Sequence, residues 1–467
     1  MQASASQDIT ADRCPLISRY VTFPQSSEEN PKSQEGEALG QPYRLPLRGL
    51  GLEWIEQTCY AGYRMDALEK LSALSNQMAF ESDEEDVVRR PPASGCQASR
   101  LPIKPGPGVS ADDVRTAYKG HPIPITMTSA GGHRVPLLKA MLTTACERDC
   151  LYCGFRAGTD CRRLTFKPEE MAGAFQMIHQ AGMVEGLFLS TGLFGGGVHT
   201  QDKLLDTADI LRKRLGYRGY LHLKIMPGAE RDQIRRALEL ADRVSLNLEA
   251  PDQKRLSSIA PKKQLREELL VRLQWIEEIR RSEPAWRGWN GRWSSSATQF
   301  VVGAADESDV DLLALTSQLM RTAHLARTYF MAFTPVEGTP LENHPPEDPL
   351  REHRLYQASY LLRDYGFDLE DLPFDPRGHL PIERDPKSAY AEAALSEAPV
   401  ELNRVDRHEL LRVPGIGPRG ASAILKARRT SKLRDLSDLR ALGVVAERAA
   451  PYITLDGHRP ARQQRLF

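Results

Sequence analysis

From about residue 122 onward, short runs of aliphatic and β-branched residues alternate with longer stretches in which apolar positions return every three or four residues. The first kind of run fits a strand and the second an amphipathic helix. Strands are predicted over Val135–Thr143, Gly186–Gly192, Tyr220–Pro227, Arg243–Glu249, Thr298–Gly303 and Thr328–Thr334. Helices are predicted over Pro168–Ala181, Lys203–Leu215, Arg231–Ala241, Gln264–Arg281 and Ser308–Thr322. Pro168 and the two acids behind it suit a first helical turn, which needs no N–H from its first residue and favours negative charge. Six βα units in a row predict an α/β fold, a partial (βα)6 TIM-type barrel with a parallel sheet inside and helices outside. In such a barrel the chemistry lies at the carboxyl ends of the strands.

The flanks read differently. Residues 1–63 are rich in Ser, Gln, Glu and Pro and are expected to be a disordered extension. Residues 64–121 hold a helix with apolar spacing over Met65–Ser75 and a charged, Pro- and Gly-containing linker over Ser82–Pro107. The barrel core is placed at 122–345, a helical and irregular connector at 346–398, a compact all-α domain at 399–456 and a flexible tail at 457–467. Lys+Arg and Asp+Glu both total 62, so global charge selects no partner. Residues 401–467, however, carry fourteen Lys+Arg against seven Asp+Glu, a balance that suits a polyanion or a well-solvated surface. Seven cysteines, a polar opening segment and no run of 18 apolar residues argue against a secreted disulfide framework and against membrane insertion. A reducing cytoplasmic location is expected.

Cys146, Cys150 and Cys153 lie in Thr144-Ala-Cys-Glu-Arg-Asp-Cys-Leu-Tyr-Cys-Gly154, directly after the first predicted strand and so at the chemical end of the barrel. Three thiolates on one loop can hold three irons of a 4Fe–4S cluster, leaving the fourth iron open. An open coordination position is what a catalytic metal site needs. A zinc site would want a fourth Cys or His nearby, and His179 is distant in sequence.

The spacing C-x3-C-x2-C, with Tyr152 before the last cysteine, resembles the signature of the radical S-adenosylmethionine (SAM) superfamily. The resemblance implies a 4Fe–4S cluster whose open iron chelates SAM. One electron then yields a 5′-deoxyadenosyl radical, with a donor such as flavodoxin or ferredoxin. It implies that Tyr152 lies near the adenine and that Ser190-Thr-Gly192 stands where the family usually has Gly-Gly-Glu, near the amino group. Asn247 and Glu249, two residues apart on one strand face, suit the ribose hydroxyls or the carboxylate, and Gln299 is similar. Phe300–Glu307 resembles the family's Gly-containing motif that supports the adenine. Lys224 and His222 are candidates to face the cavity, and Gly195–Gly197 reads either as a ligand-approaching backbone or as a flexible loop.

The second chemical signal is C-terminal. Leu402–Leu425 reads as helix, tight turn, helix, and Pro414-Gly-Ile-Gly417 resembles the hairpin of a helix-hairpin-helix DNA-binding motif. A helix start behind two glycines is suited to an anion, and Arg419, Lys426, Arg428 and Arg429 could add phosphate contacts. Residues 431–452 read as a second, degenerate pair, and Gln463-Gln-Arg-Leu-Phe467 resembles peptides that dock on the bacterial sliding clamp. From about residue 64 onward the chain resembles a bacterial family of radical SAM proteins assigned to DNA modification or repair and associated with uracil-DNA-glycosylase-like proteins. The expected function is radical chemistry on nucleic acid, DNA ahead of RNA. The alternatives are a tRNA or small-metabolite enzyme and a non-catalytic DNA-binding redox sensor.

Overall fold

Alternating burial along each strand creates the two faces on which the fold rests. Leu138 and Ala140, Leu187 and Leu189, and Leu221 and Leu223 are fully buried on the helix side. The intervening positions, Lys139, Phe188 and Lys224 among them, line a cavity on the other side. The computed structural model describes residues 67–75, 77–78, 123–130 and 133–460, all within one compact unit, Ile55–Phe467. The expected extension over 1–63, the linker over Ser82–Pro107 and the clamp-like peptide Gln463–Phe467 lie outside the described residues.

Seven strands form one sheet in chain order: β1 (Ile125–Ala130), β2 (His133–Met141), β3 (Gly186–Ser190), β4 (Tyr220–Lys224), β5 (Arg243–Ser245), β6 (Ser295–Val302) and β7 (Arg327–Ala332). The pairs from β2 to β7 are parallel. β1 runs antiparallel to β2, pairing Ala130 with His133. The sheet is a curled half-barrel with β1 and β7 at its edges. The six parallel strands are those the pattern predicts, and β1 is an addition. Its mixed sequence Ile-Thr-Met-Thr-Ser-Ala carries too little hydrophobic contrast to announce a strand.

Other departures have local causes. A helix over Gln253–Ile259 is present that the sequence reading did not anticipate. The long predicted helix behind it divides into a π-helical turn, Leu265–Leu270, and an α-helix, Val271–Ser282. β5 stops at Ser245, but the chain keeps following β6. The N–H groups of Leu248 and Glu249 both donate to the Gln299 carbonyl, at 3.1 and 3.0 Å. Two residues opposite one make a bulge, and Glu249 sits there at φ 67°.

After β2 the chain passes through the cysteines to Thr165 without a helix or strand, apart from an isolated bridge between Thr143 and Thr165. Its backbone groups are satisfied from a few points. Thr144 donates its N–H to the Leu164 carbonyl (2.9 Å) and accepts the Leu164 N–H on its hydroxyl (2.8 Å). Arg163 donates to the carbonyls of Thr144, Phe155 and Arg156 at 2.8–2.9 Å and to the Thr159 hydroxyl at 2.9 Å. Gly192 closes on the loop from β3: a Cβ there would lie 2.2 Å from the Ala145 carbonyl oxygen, so only glycine fits.

Beyond β7, the helix Pro349–Asp364 packs back on the sheet, with Tyr356 accepting the Phe330 N–H at 3.2 Å. The C-terminal residues build a second core around Leu410, Ile416, Ile424 and Leu439. Four short helices surround it: Arg407–Arg412, Pro418–Ala427, Leu436–Ala441 and Ala446–Ala449. The region is not purely helical, because β8 (Val400–Glu401) and β9 (Ile453–Thr454) pair in parallel at its base. It is also stapled to the connector. Arg412 lies over the rings of Phe367 and Tyr390 and pairs with Asp371 at 2.8 Å, while Lys387 donates to the Ile416 carbonyl at 2.6 Å. Among the described residues, no helix is long and apolar enough to cross a membrane.

Arg163 is the test of this scaffold. Arg163→Met keeps the aliphatic stem and removes every donor, leaving buried carbonyls unsatisfied. The expected loss is on the order of 3 kcal/mol in anaerobic urea unfolding of the cluster-free protein. A change under about 0.5 kcal/mol would show that the loop organises itself without this guanidinium.

Candidate active site

The lumen opens at the carboxyl ends of the strands into a cavity of about 200 Å³. Cys146, Cys150 and Cys153 line it, with Tyr152 between the last two. From β3 and its following loop come Ser190, Thr191 and Gly192; from the segment after β5, from β6 and from the bulge come Asn247, Gln299 and Glu249. Ten of the residues singled out for cluster and SAM therefore meet at one cavity. None of the four described cysteines, these three and Cys161, forms a disulfide. Cys161 does not line the cavity; its thiol points to the Gly154 carbonyl at 3.5 Å.

The electrostatic centre is an ion pair absent from the sequence reading. Lys263 meets Glu249 at 2.8 Å, and both side chains are under 10% exposed. Burial by itself would raise the Glu249 carboxyl, but Lys263 holds it below its ordinary range. Burial would likewise lower the Lys263 ammonium, yet Cys150 and Glu249 hold it above. Tyr152 hydrogen-bonds Glu249, and its phenol is pushed well up by burial and then by that carboxylate. Burial also raises the Cys150 thiol, with Lys263 opposing. The loop is pinned from the same side: Arg148 pairs with Glu268 at 2.6 Å, and the Leu151 N–H donates to the Ile259 carbonyl at 2.7 Å. No local pattern around Lys263 announces this role, because only the fold brings it beside Glu249.

Other candidates separate. Lys224 lines the cavity and hydrogen-bonds the Asn247 side-chain carbonyl. His222, two residues earlier, is buried on Ser245 at 2.8 Å and does not line it. None of Gly303–Glu307 lines it either. There the Glu307 carboxylate accepts the Gly303 and Ala305 N–H groups and lies 3.6 Å from Arg351. Gly195 and Gly196 adopt positive φ, and a Cβ on Gly197 would lie 2.2 Å from the Pro227 carbonyl oxygen. The triplet thus packs one strand-end loop on another.

In the C-terminal hairpin, Pro414 and Ile416 are buried. Gly415 has φ 84°, and a Cβ would meet the Val445 carbonyl oxygen at 2.4 Å. Gly417 caps the helix Pro418–Ala427 without a side-chain bond. Arg419, Lys426 and Arg429 are exposed. Arg428 is not available for phosphate in this arrangement, because its guanidinium donates to the Leu402 and Val405 carbonyls. A second glycine turn at Gly443 separates Leu436–Ala441 from Ala446–Ala449, and the Val445 N–H donates to the Gly415 carbonyl at 3.2 Å.

The donor set fits the implied cofactors. Among the described residues, no three His, Cys, Asp or Glu side chains are grouped as a site for one metal ion. Three separate thiols on one wall suit a group that presents a separate iron to each. The wall also offers the hydroxyls of Ser190 and Thr191, the amide of Asn247 and the carboxylate of Glu249, which suit amino and hydroxyl groups. Lys263→Met would leave Glu249 buried and unpaired. It is expected to cost about 3–5 kcal/mol in urea unfolding of the cluster-free protein. Adding Glu249→Gln should recover part of that loss, and no recovery would contradict the pairing.

Residues 141–281 match the radical SAM superfamily. No curated protein sequence matches the chain. Among solved structures, it is similar to methylornithine synthase at 18% identity and TM-score 0.39, covering 54% of this chain and 66% of that one. It is similar to the FeFe-hydrogenase maturase HydG from Carboxydothermus hydrogenoformans at 14% identity and TM-score 0.39, covering 49% and 51%. A radical SAM methyltransferase from Sphaerobacter thermophilus is similar at 13% identity and TM-score 0.35, covering 55% and 81%. The chain thus spans just under two thirds of the methylornithine synthase and about half of this HydG. Residues 141–281, which contain the three cysteines, are a radical SAM domain, of a family that uses a 4Fe–4S cluster and SAM.

Proposed function

We propose that this enzyme acts on nucleic acid, in the modification or repair of DNA. The observation that carries the reading is the pair of glycine turns at Gly415 and Gly443 on a small helical core, with Arg419, Lys426 and Arg429 exposed on and just beyond the helix that follows the first turn. A helix start with exposed cations suits phosphate without regard to base sequence. The stapling of this core to the connector through Arg412 and Lys387 supports a fixed spacing between phosphate contacts and cavity, in place of a loose tether.

In the cavity, Cys146, Cys150 and Cys153 hold the cluster, and Lys263 offsets thiolate charge beside Cys150. Ser190, Thr191 and Gly192 meet the amino end of SAM, Asn247, Glu249 and Gln299 its carboxylate and hydroxyls, and Tyr152 its adenine. When bound, the two cofactors supply one-electron chemistry of the kind that takes a hydrogen atom from an unactivated carbon. A base in duplex DNA has to leave the stack to reach such a lumen. A reductant of the flavodoxin or ferredoxin kind, the sliding clamp and a uracil-DNA-glycosylase-like protein are the partners this reading brings, in a cytoplasmic setting. Absence of 5′-deoxyadenosine on anaerobic reduction with SAM would favour the redox-sensor alternative. A small-metabolite substrate is the second reading, favoured by the modest cavity of about 200 Å³.

The test is anaerobic turnover with carbon-deuterated DNA, RNA or a metabolite pool. Deuterium is expected in 5′-deoxyadenosine from DNA. The exposed pair Arg419→Glu and Lys426→Glu should cut that transfer about tenfold at physiological salt and flatten its salt dependence, with cluster iron unchanged. Deuterium arriving from the metabolite pool and not from either nucleic acid would overturn the proposal. The glycines are the wrong positions for this test, since any side chain at Gly415 collides with the Val445 backbone.

A further inference from the structure

We propose that Phe194 is a stacking platform at the mouth of the cavity, placed to hold an unpaired base of a nucleic-acid strand whose neighbouring base enters the lumen. The chain after β3 dictates its position. Ser190, Thr191, Gly192 and Leu193 line the cavity in succession, and Phe194 is the first residue after them to leave the lining. Its side chain is 62% exposed, whereas Leu193 beside it is buried.

The exposed ring sits on a fixed backbone. The buried Thr200 hydroxyl accepts the Phe194 N–H at 3.2 Å and lies within hydrogen-bond distance of the Phe194 and Gly196 carbonyls, at 3.0 and 2.7 Å. One residue earlier, the Leu193 carbonyl accepts the Glu147 N–H from the cysteine loop at 2.7 Å. One residue later, the Gly195 N–H donates to the Glu147 carboxylate at 3.2 Å. Gly195 and Gly196 then take φ values of 75° and 86°, and Gly197 rests on the Pro227 carbonyl where no Cβ fits. Phe194 is thus held on both sides to the segment that carries Cys146. A side chain on so constrained a backbone loses little further freedom when a ligand covers it.

What covers it follows from size, shape and charge. A phenylalanine side chain buries at least about 150 Å², so the exposed part of Phe194 amounts to on the order of 100 Å². Val198, 41% exposed at the start of the helix Gly197–Asp209, adds less. A stable protein interface takes about 800 Å² from each partner, several times this patch. A small molecule is enclosed by its pocket on most sides, but Phe194 stands outside the cavity lining and offers one open ring. A one-sided stack adds a modest factor in affinity, which serves a polymer already held by other contacts. The exposed Glu147 carboxylate alongside disfavours a phosphate at this point and leaves the uncharged face of a base. A base that leaves its stack to enter the lumen uncovers its neighbour, and an aromatic ring at the mouth can replace the lost partner. The identity of this occupant rests on the nucleic-acid reading.

The experiment is equilibrium binding to the anaerobic, cluster-loaded full chain with SAM present. The probes are a DNA duplex with a bulge of unpaired thymidines and the same duplex with abasic residues in the bulge. The thymidine bulge is expected to bind about tenfold tighter. Phe194→Ala should remove that difference and leave both the affinity for the abasic duplex and the iron content unchanged. Phe194→Trp should keep the preference, and Phe194→Leu, apolar but without a ring, should lose most of it. An undiminished preference in Phe194→Ala or Phe194→Leu would overturn the stacking role. If binding of both duplexes still falls in the Arg419→Glu, Lys426→Glu pair, the nucleic-acid reading stands without it. Binding of neither duplex by the unsubstituted protein would sink that reading and the occupant together.

Discussion

The three thiols are carried by a stretch of chain that builds no ladder of its own, so each backbone group it buries must find a partner elsewhere. That constraint explains a set of residues otherwise unrelated in sequence. Arg163 gathers five acceptors inside the loop, Thr144 closes its neck on Leu164, and Gly192 lets β3 approach to a distance no side chain would allow. Arg148 with Glu268, and Leu151 with Ile259, fasten its outer side to the segment after β5. The positions of the cysteines are therefore set by two flanking strand ends and by one helix behind β5.

The same segment supplies the electrostatics. Lys263 follows the helix Gln253–Ile259 and meets Glu249 on the bulge, so one short stretch both steadies the loop and places a cation beside Cys150. A buried pair is weak evidence for stability, but removing either partner strands a charge. Here it also ties Tyr152, through Glu249, to the bulge after β5. Glu249 holds a backbone conformation uncommon for a residue with a Cβ, on the bulge beyond β5 where a polar group must turn into the lumen.

Much of this was legible in the chain because it depends on local spacing. The period-two alternation in Gly186–Ser190 and Tyr220–Lys224 separates lumen from core directly, and the cysteine spacing marks the loop and its strand. What escaped depends on distance or competition. Lys263 and Glu249 are paired only by the fold. Arg428 reads as one more surface cation, yet two nearby carbonyls need donors and take it inward. Phe300–Glu307 carries a motif-like glycine, but the Glu307 carboxylate folds back on its own N–H groups beside Arg351 and leaves the cavity to Gln299. β1 has too little hydrophobic contrast to be seen before its pairing with β2 is known.

The helical C-terminal core and the half-barrel are joined by the very residues that shape the hairpin: Lys387 holds the Ile416 carbonyl, and Arg412 sits between two connector rings. The reading of the whole chain nonetheless stands or falls on the three-cysteine loop. The most direct test is Mössbauer spectroscopy of the anaerobic protein loaded with isotopically enriched iron, recorded without and with SAM. Three alike irons and a distinct fourth, whose signal alone shifts when SAM is added, is the predicted result. Four equivalent irons that ignore it would contradict the account.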